Sequence, residues 1–222
     1  MSKLPAVPVS GGDVGGLVRE WVSGSLRRLR IPRLTGVLLH RPDQLLSPQG
    51  EELFQSLVRL TEQGVVEKIG VSIYNPSELD TLFSEFHFDL VQAPFNVFDQ
   101  RLLTSGWLRR LRAAGVEVHT RSAFLQGLLL MTASNRPKQF DRWASLWGEW
   151  DRWLEERSLT PLQACLGFVL AHPEIDSVVV GVDNVRQLQE IVRAANTKDV
   201  AIPRSLATDD LQLVNPSNWL KV

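Results

Sequence analysis

The sequence predicts an α/β protein built on a parallel sheet, and three observations predict it. Short apolar runs recur along the chain: Val37-Leu38-Leu39, Ile69-Gly70-Val71, Leu90-Val91, Val116 to His119 and Ser177 to Val180. Between them lie amphipathic stretches of helical period. Capping and turn residues punctuate the junctions. Strands joined by helices imply βαβ units whose sheet is covered on both faces. The pattern alone supports a closed barrel and an open doubly wound sheet equally.

Taken in order, a strand stub is expected around Lys3 and Leu4. Asp13 then precedes a helix through Arg28, with Leu17, Val18 and Trp21 inward. After the strand Val37-Leu38-Leu39, Gly50 to Gln63 reads as a helix carrying Leu53, Phe54, Leu57, Val58 and Leu60 on one face. Ser47 is its expected cap, Pro48 suits its first turn and Gly64 its exit. Ile69-Gly70-Val71 is followed by Asn75-Pro76-Ser77-Glu78, a capping-box-like start for a helix bearing Leu79, Leu82, Phe83 and Phe86. Leu90-Val91 leads to a helical stretch from Leu102 to Ala114, ended by Gly115. Val116 to His119 is the next strand. Thr160-Pro161-Leu162-Gln163 opens a capped helix through Ala171, and the strand Ser177 to Val180 precedes a last helix, Asn184 to Ala195. Between Arg142 and Arg157, Trp143, Trp147, Trp150 and Trp153 recur at helical spacing; this stripe reads as core packing or as a subunit contact or pocket wall.

Composition narrows the function classes. The 222 residues are 44% hydrophobic and 22% charged with a formal net charge of -1, an ordinary globular balance that gives no reason to expect nucleic acid or an acidic membrane surface as partner. The run Arg27, Arg28, Arg30, Arg33 reads as a solvated helix end favoured by the helix dipole. Cys165 is the one cysteine, so no internal disulfide forms; it reads as a small core side chain, and a cytoplasmic location is expected. No apolar run reaches the roughly 18–20 residues of a membrane span. Neither metal-ligand spacing nor a phosphate-binding glycine loop is present, so no metal is expected.

In βα folds the chemistry gathers at the C-terminal strand ends and the loops that follow. Those ends carry Lys3, His40, Ser72 with Asn75, Gln92, Arg121 with Ser122, and Gly181 through Gln187. His40 closes its strand before Arg41-Pro42 and so faces the sheet's mouth, whereas His87, His119 and His172 read as structural. Gly181-Val182-Asp183-Asn184 leads into a helix N-terminus, whose free N–H groups suit an anion.

These motifs resemble the aldo-keto reductase family. Ser2-Lys3-Leu4-Pro5, Leu38-Leu39-His40-Arg41-Pro42-Asp43, Lys68-Ile69-Gly70-Val71-Ser72, Val91-Gln92-Ala93-Pro94-Phe95-Asn96 and Gly181-Val182-Asp183-Asn184 are similar, in order, to that family's third to sixth and eighth strand ends. Arg121-Ser122-Ala123-Phe124-Leu125-Gln126-Gly127 resembles the seventh-strand loop of a bacterial subgroup often found near surface-polysaccharide genes. The resemblance implies a (β/α)₈ TIM barrel lacking roughly its first two βα units. It implies a single partial barrel domain over residues 1–222, strands 3 to 8 plus a tail from about 200. It also implies reduction of a small-molecule aldehyde or ketone by NADPH, with NADH as the alternative donor. Lys3 looks like the family's catalytic lysine and His40 like the histidine that orients the carbonyl. Ser72 and Gln92 resemble the pair that holds the nicotinamide amide. Ser122, Gly181, Asn184 and Gln187 match positions lining the cofactor's phosphate and adenosine side, and Arg121, also expected at the cofactor, stands where many relatives have an aromatic that stacks on the nicotinamide.

The departures shape the expectations as much. The family's proton-donating tyrosine and its aspartate lie upstream of the lysine strand, where only Met1 and Ser2 stand here. The one tyrosine, Tyr74, aligns with cofactor contacts. Three readings follow: a reductase whose start was assigned late; a shortened, non-catalytic module binding a nucleotide, sugar or partner; or a reductase using His40 or Lys3 as proton donor. Strand edges beside Lys3 and Val180, or the Trp143–Trp153 segment, are the expected routes to self-association.

Overall fold

The computed structural model describes residues 1–8, 12–197 and 200–219. Every strand expected from the sequence is present, and a helix or helical pair follows each of the first five. In chain order these are β1 (Ser2–Leu4), α1 (Val14–Leu29), β2 (Val37–Leu39), α2 (Gly50–Glu62), β3 (Ile69–Ser72), α3 (Glu78–Glu85) and β4 (Leu90–Pro94). Then come α4 (Arg101–Thr104), α5 (Trp107–Ala113), β5 (Glu117–Arg121), α6 (Ala144–Arg157), α7 (Pro161–Leu170), β6 (Ser177–Val178), α8 (Val185–Ala194) and α9 (Leu211–Val214). The strands form one six-stranded sheet in the order β1-β2-β3-β4-β5-β6. The first four are parallel, with Lys3 level with Leu38, Leu38 with Gly70, and Ser72 with Gln92.

The chain divides into two compact units, one of Met1–Ala93 with Arg109–His119, the other of Pro94–Leu108 with Thr120–Val222. In the first, β2, β3 and β4 are buried at every position, which is why they read as unbroken apolar runs and not as alternation. Helix α1 packs on α2. Its inward face is Val14, Val18 and Val22, all at most 1% exposed, whereas Leu17 and Trp21 are only half-buried. Of the expected inward set, Val18 alone is fully buried. Asp13 caps α1 by accepting from the Gly16 N–H at 2.7 Å, and Arg27 and Arg28 occupy its last turn, where cations oppose the dipole.

Ser47 does not cap α2. The residue before that helix is Gln49, which makes no side-chain cap, and the Ser47 hydroxyl is spent on the Gln44 carbonyl at 2.7 Å, closing the preceding 3-10 turn. At α3 the expected box takes another form: the Glu78 carboxylate accepts from the Tyr74 N–H at 2.8 Å and the Asn75 N–H at 2.6 Å. A ring cluster of Phe54, Phe83, Phe86 and Phe88 closes this part of the first unit, with centroids 5.0 to 6.3 Å apart.

The stretch expected as one helix from Leu102 to Ala114 is two. It breaks at Ser105 and Gly106, the latter at φ 79°. The tryptophan stripe packs inward: Trp147, Trp150 and Trp153 are 4%, 0% and 7% exposed. Trp150 and Trp153 stack at 5.7 Å, and Trp147 meets Phe98 at 4.9 Å. Arg136 lies over the Trp147 ring at 4.5 Å and forks onto Asp151, while the half-buried Trp143 donates to Asp210 at 3.0 Å. Helix α7 begins with a complete capping box between Thr160 and Gln163, and carries Cys165 fully buried beside Phe168 and Val169. Burial pushes the Cys165 thiol far above its ordinary range, as befits a core side chain.

Candidate functional site

In the first unit the strand ends bring four expected residues onto neighbouring strands. Side chains two apart along a strand share a face, so Lys3, level with Leu38 and Gly70, is in phase with Ser72 and Gln92. Gly70 makes this possible: a Cβ there would lie 2.3 Å from the Leu90 carbonyl oxygen and 2.7 Å from a Leu38 methyl. Across that flattened spot the Lys3 ammonium donates to the Ser72 hydroxyl at 3.2 Å. Ser72 is 2% and Gln92 4% exposed, and they face each other in register. His40 follows β2, exposed, with its ring edge-on to Tyr74 at 6.2 Å between centroids. Arg41 forks onto Asp43 at 2.9 and 3.1 Å and holds that carboxyl below its ordinary range, chiefly through the hydrogen bond.

Deeper in the same unit, Glu117 at the start of β5 accepts from Lys68 and lies 2.7 Å from the His119 ring. Hydrogen bonding, first from Lys68 and then from His119, holds the Glu117 carboxyl below the usual glutamate range. This group lies at the opening of its strand, away from the strand ends that carry Lys3, Ser72 and Gln92, and fits the structural reading of His119.

The second unit holds a cleft of about 630 Å³. Arg121, Ser122, Gly181 and Gln187 line it, four of the five residues expected there. Asn184 is not among them. Its side chain caps α8, accepting from the Gln187 N–H at 2.9 Å, while the Gln187 side chain returns to the Asp183 N–H at 2.7 Å. The loop after β5 forms another wall, and its backbone is unusual: Ser122, Leu125 and Gln126 adopt left-handed φ values of 62°, 47° and 55° without being glycine. Such positions cost on the order of 1 kcal/mol or more each and persist only where neighbours hold them.

Asn96 is the residue the strand-end reading missed. With no exposed surface, it donates to the Ser122 carbonyl at 3.1 Å and accepts from the Phe98 and Asp99 N–H groups at 2.9 Å each. One amide thus ties the loop after β4 to the mouth of the cleft. Beside it, Asp99 and Arg101 form a buried fork at 2.7 Å, and burial still raises the Asp99 carboxyl, because desolvation exceeds what Arg101 returns. Asp183, Glu190 and Leu162 also line the cleft, from α7 and the region of α8. Only Asp183 stood in a strand-end motif; the others arrive by helix packing. Among the described residues no group of His, Cys, Asp or Glu side chains is arranged to hold a metal ion, and no helix is long and apolar enough to cross a membrane.

Comparison with known proteins gives this geometry a setting. A model of the Aldo/keto reductase family matches residues 10–203. The oxidoreductase YqkF of Bacillus subtilis (strain 168) is 25% identical over 192 residues, which are 82% of this chain and 61% of that protein; the chain thus spans less than two thirds of that relative's length. Among solved structures, the holo form of aldo-keto reductase AKR11C1 from Bacillus halodurans superposes with a TM-score of 0.66 at 18% identity, covering 92% of this chain and 74% of that one. The Pseudomonas aeruginosa protein PA4992 gives 0.60 at 18% identity over 87% and 65%. These likenesses assign the fold to the (β/α)₈ class, with six of its βα strands present.

Proposed function

The chain belongs to the aldo/keto reductase family of oxidoreductases, and on that premise we propose that it binds NAD(P)H and takes part in reducing a small-molecule aldehyde or ketone. The observation that carries the reading is the second-unit cleft, whose size suits a nucleotide and whose lining includes Arg121, Ser122, Gly181 and Gln187. Its mixture of a guanidinium, hydroxyl and amide groups beside the start of α8 fits a phosphate-bearing ligand. The first unit, taken by itself, carries Ser72 and Gln92, buried and in register, a hydroxyl and an amide of the kind that pair with a carboxamide. When bound, a reduced nicotinamide supplies a hydride to the carbonyl carbon.

The rest falls to the chain's own groups. His40 holds the carbonyl oxygen by a hydrogen bond, fixing the face open to attack. Lys3, kept in place by Ser72 at 3.2 Å, puts an ammonium near the atoms where negative charge grows. The proton that completes the alcohol needs a donor, and the one tyrosine, Tyr74, is tied into the loop by its backbone and packed edge-on to His40. That observation favours a second reading, a non-catalytic nucleotide-binding module. Mixing the protein with NADH or NADPH and a panel of aldehydes, while following nicotinamide absorbance, separates the two. Turnover supports the reductase; tryptophan quenching without turnover supports the module. Neither turnover nor quenching overturns both.

A further inference from the structure

The two nicotinamide cofactors differ by one phosphate on the adenosine ribose, so the charges lining the second-unit cleft bear on the choice between them. Among the described lining residues Arg121 is the one cation, against two carboxylates, Asp183 and Glu190. Arg121 stands at the end of β5, and its guanidinium donates to Ser122 at 3.3 Å. The carboxylates stand on the other element: Asp183 just before α8 and Glu190 two turns into it.

Local bonding fixes this arrangement. The reciprocal caps between Asn184 and Gln187, and between Gln187 and the Asp183 N–H, hold Asp183 at the mouth of α8. Among the described residues its carboxylate makes no hydrogen bond or ion pair, and it is exposed, ready to accept hydrogen bonds. Arg186 of α8 lies outside the lining; its side chain is 87% exposed and donates to Glu190 at 2.9 Å.

We propose that this cleft selects NADH over NADPH, with Asp183 as the principal discriminating residue and Glu190 as the second. The inference rests on the nicotinamide-dinucleotide reading above. A carboxylate accepts hydrogen bonds from a ribose 2′-hydroxyl and repels a 2′-phosphate, whereas phosphate recognition needs a basic side chain at that place. Both cofactors carry the same pyrophosphate, so Arg121 serves either alike. The additional phosphate of NADPH, with close to two negative charges at neutral pH, finds no second cation among the described lining residues and is repelled chiefly by Asp183, since Glu190 is paired with Arg186. Selection here works by a repulsive element.

The test is a pair of titrations, NADH and NADPH, into the full chain, read by tryptophan quenching and by nicotinamide fluorescence. NADH is expected to bind at least about tenfold more tightly, equivalent to about 1.4 kcal/mol. The ratio should narrow as ionic strength rises, because partly exposed charges are screened. Asp183→Arg is expected to cut the ratio about tenfold or invert it, by weakening NADH, which loses its ribose acceptor, and strengthening NADPH, which gains a cation for its phosphate. A second measurement needs no variant: adenosine 5′-monophosphate should displace bound NADH at lower concentration than adenosine 2′,5′-bisphosphate does. Equal or tighter NADPH binding, or better displacement by the bisphosphate, overturns the selection and leaves the dinucleotide reading standing. Binding of neither cofactor overturns the dinucleotide reading itself, and the selection falls with it.

Discussion

Replacing Asn96 with alanine removes three hydrogen bonds from a side chain that has no exposed surface. Two backbone N–H groups and one carbonyl are then left without it, and buried unsatisfied groups cost about 1–3 kcal/mol each when no water replaces the partner. Chemical denaturation of Asn96→Ala should show a loss in that range. Dinucleotide affinity should fall as well, since the Ser122 carbonyl loses its anchor at the cleft. Asn96→Asp should be no milder, because it puts an oxygen against that carbonyl and buries a charge. Glu117 gives a pH-dependent counterpart. Its folded carboxyl lies below the ordinary range, so its contribution is fully present above the unfolded glutamate value of about 4.3 and is lost as pH falls through the folded value. The stability gap between wild type and Glu117→Gln, followed by thermal melts, should therefore be wide at neutral pH and close in acid. A gap that stays constant across that window would remove Lys68 and His119 as its cause.

Among the elements, α7 and α2 differ in how they begin, and that difference is measurable. Thr160→Ala breaks a complete capping box and should cost about 1 kcal/mol, whereas Ser47→Ala, which removes a hydroxyl that touches no N–H of α2, should cost little. Both residues look like caps on paper. Each is followed by proline, but three residues on from Thr160 stands the glutamine that completes the box, whereas three on from Ser47 stands Gly50, which has no side chain to return. β2, β3 and β4 were legible because buried parallel strands are short apolar runs, and Lys3, Ser72 and Gln92 because each stands at a strand's end; that they are in phase is visible only in the register. The turn at Gly106 was not, since Leu102, Leu108 and Leu111 keep an apolar rhythm through it. Nor was the left-handed backbone of Ser122, Leu125 and Gln126, because no residue type there demands it. Leu162 and Glu190 reach the cleft only through the packing of α7 and α8, which local sequence does not encode.

Across the whole molecule, burial is distributed unevenly. Leu53 and Leu57 of α2 are at most 1% exposed, while Val185, Leu188 and Val192 of α8 are 71%, 47% and 58% exposed. Leu57→Ala should cost about 2–5 kcal/mol, since it opens a cavity in a packed core. Leu188→Ala should stay within about 0.5 kcal/mol, as a surface truncation does. Equal losses in urea titrations would mean that α8 is covered in solution. The exposed apolar stripe is large for one helix and is the part of the surface most open to adventitious contact.

The single thiol has a use of a different kind. Cys165 sits wholly inside α7 with its ionisation suppressed, so a reagent in solution meets it only when the second unit opens. With no other sulfhydryl in the chain to compete, the labelling rate becomes a clock for that opening, and a bound dinucleotide that steadies the unit should slow the clock in proportion to its occupancy.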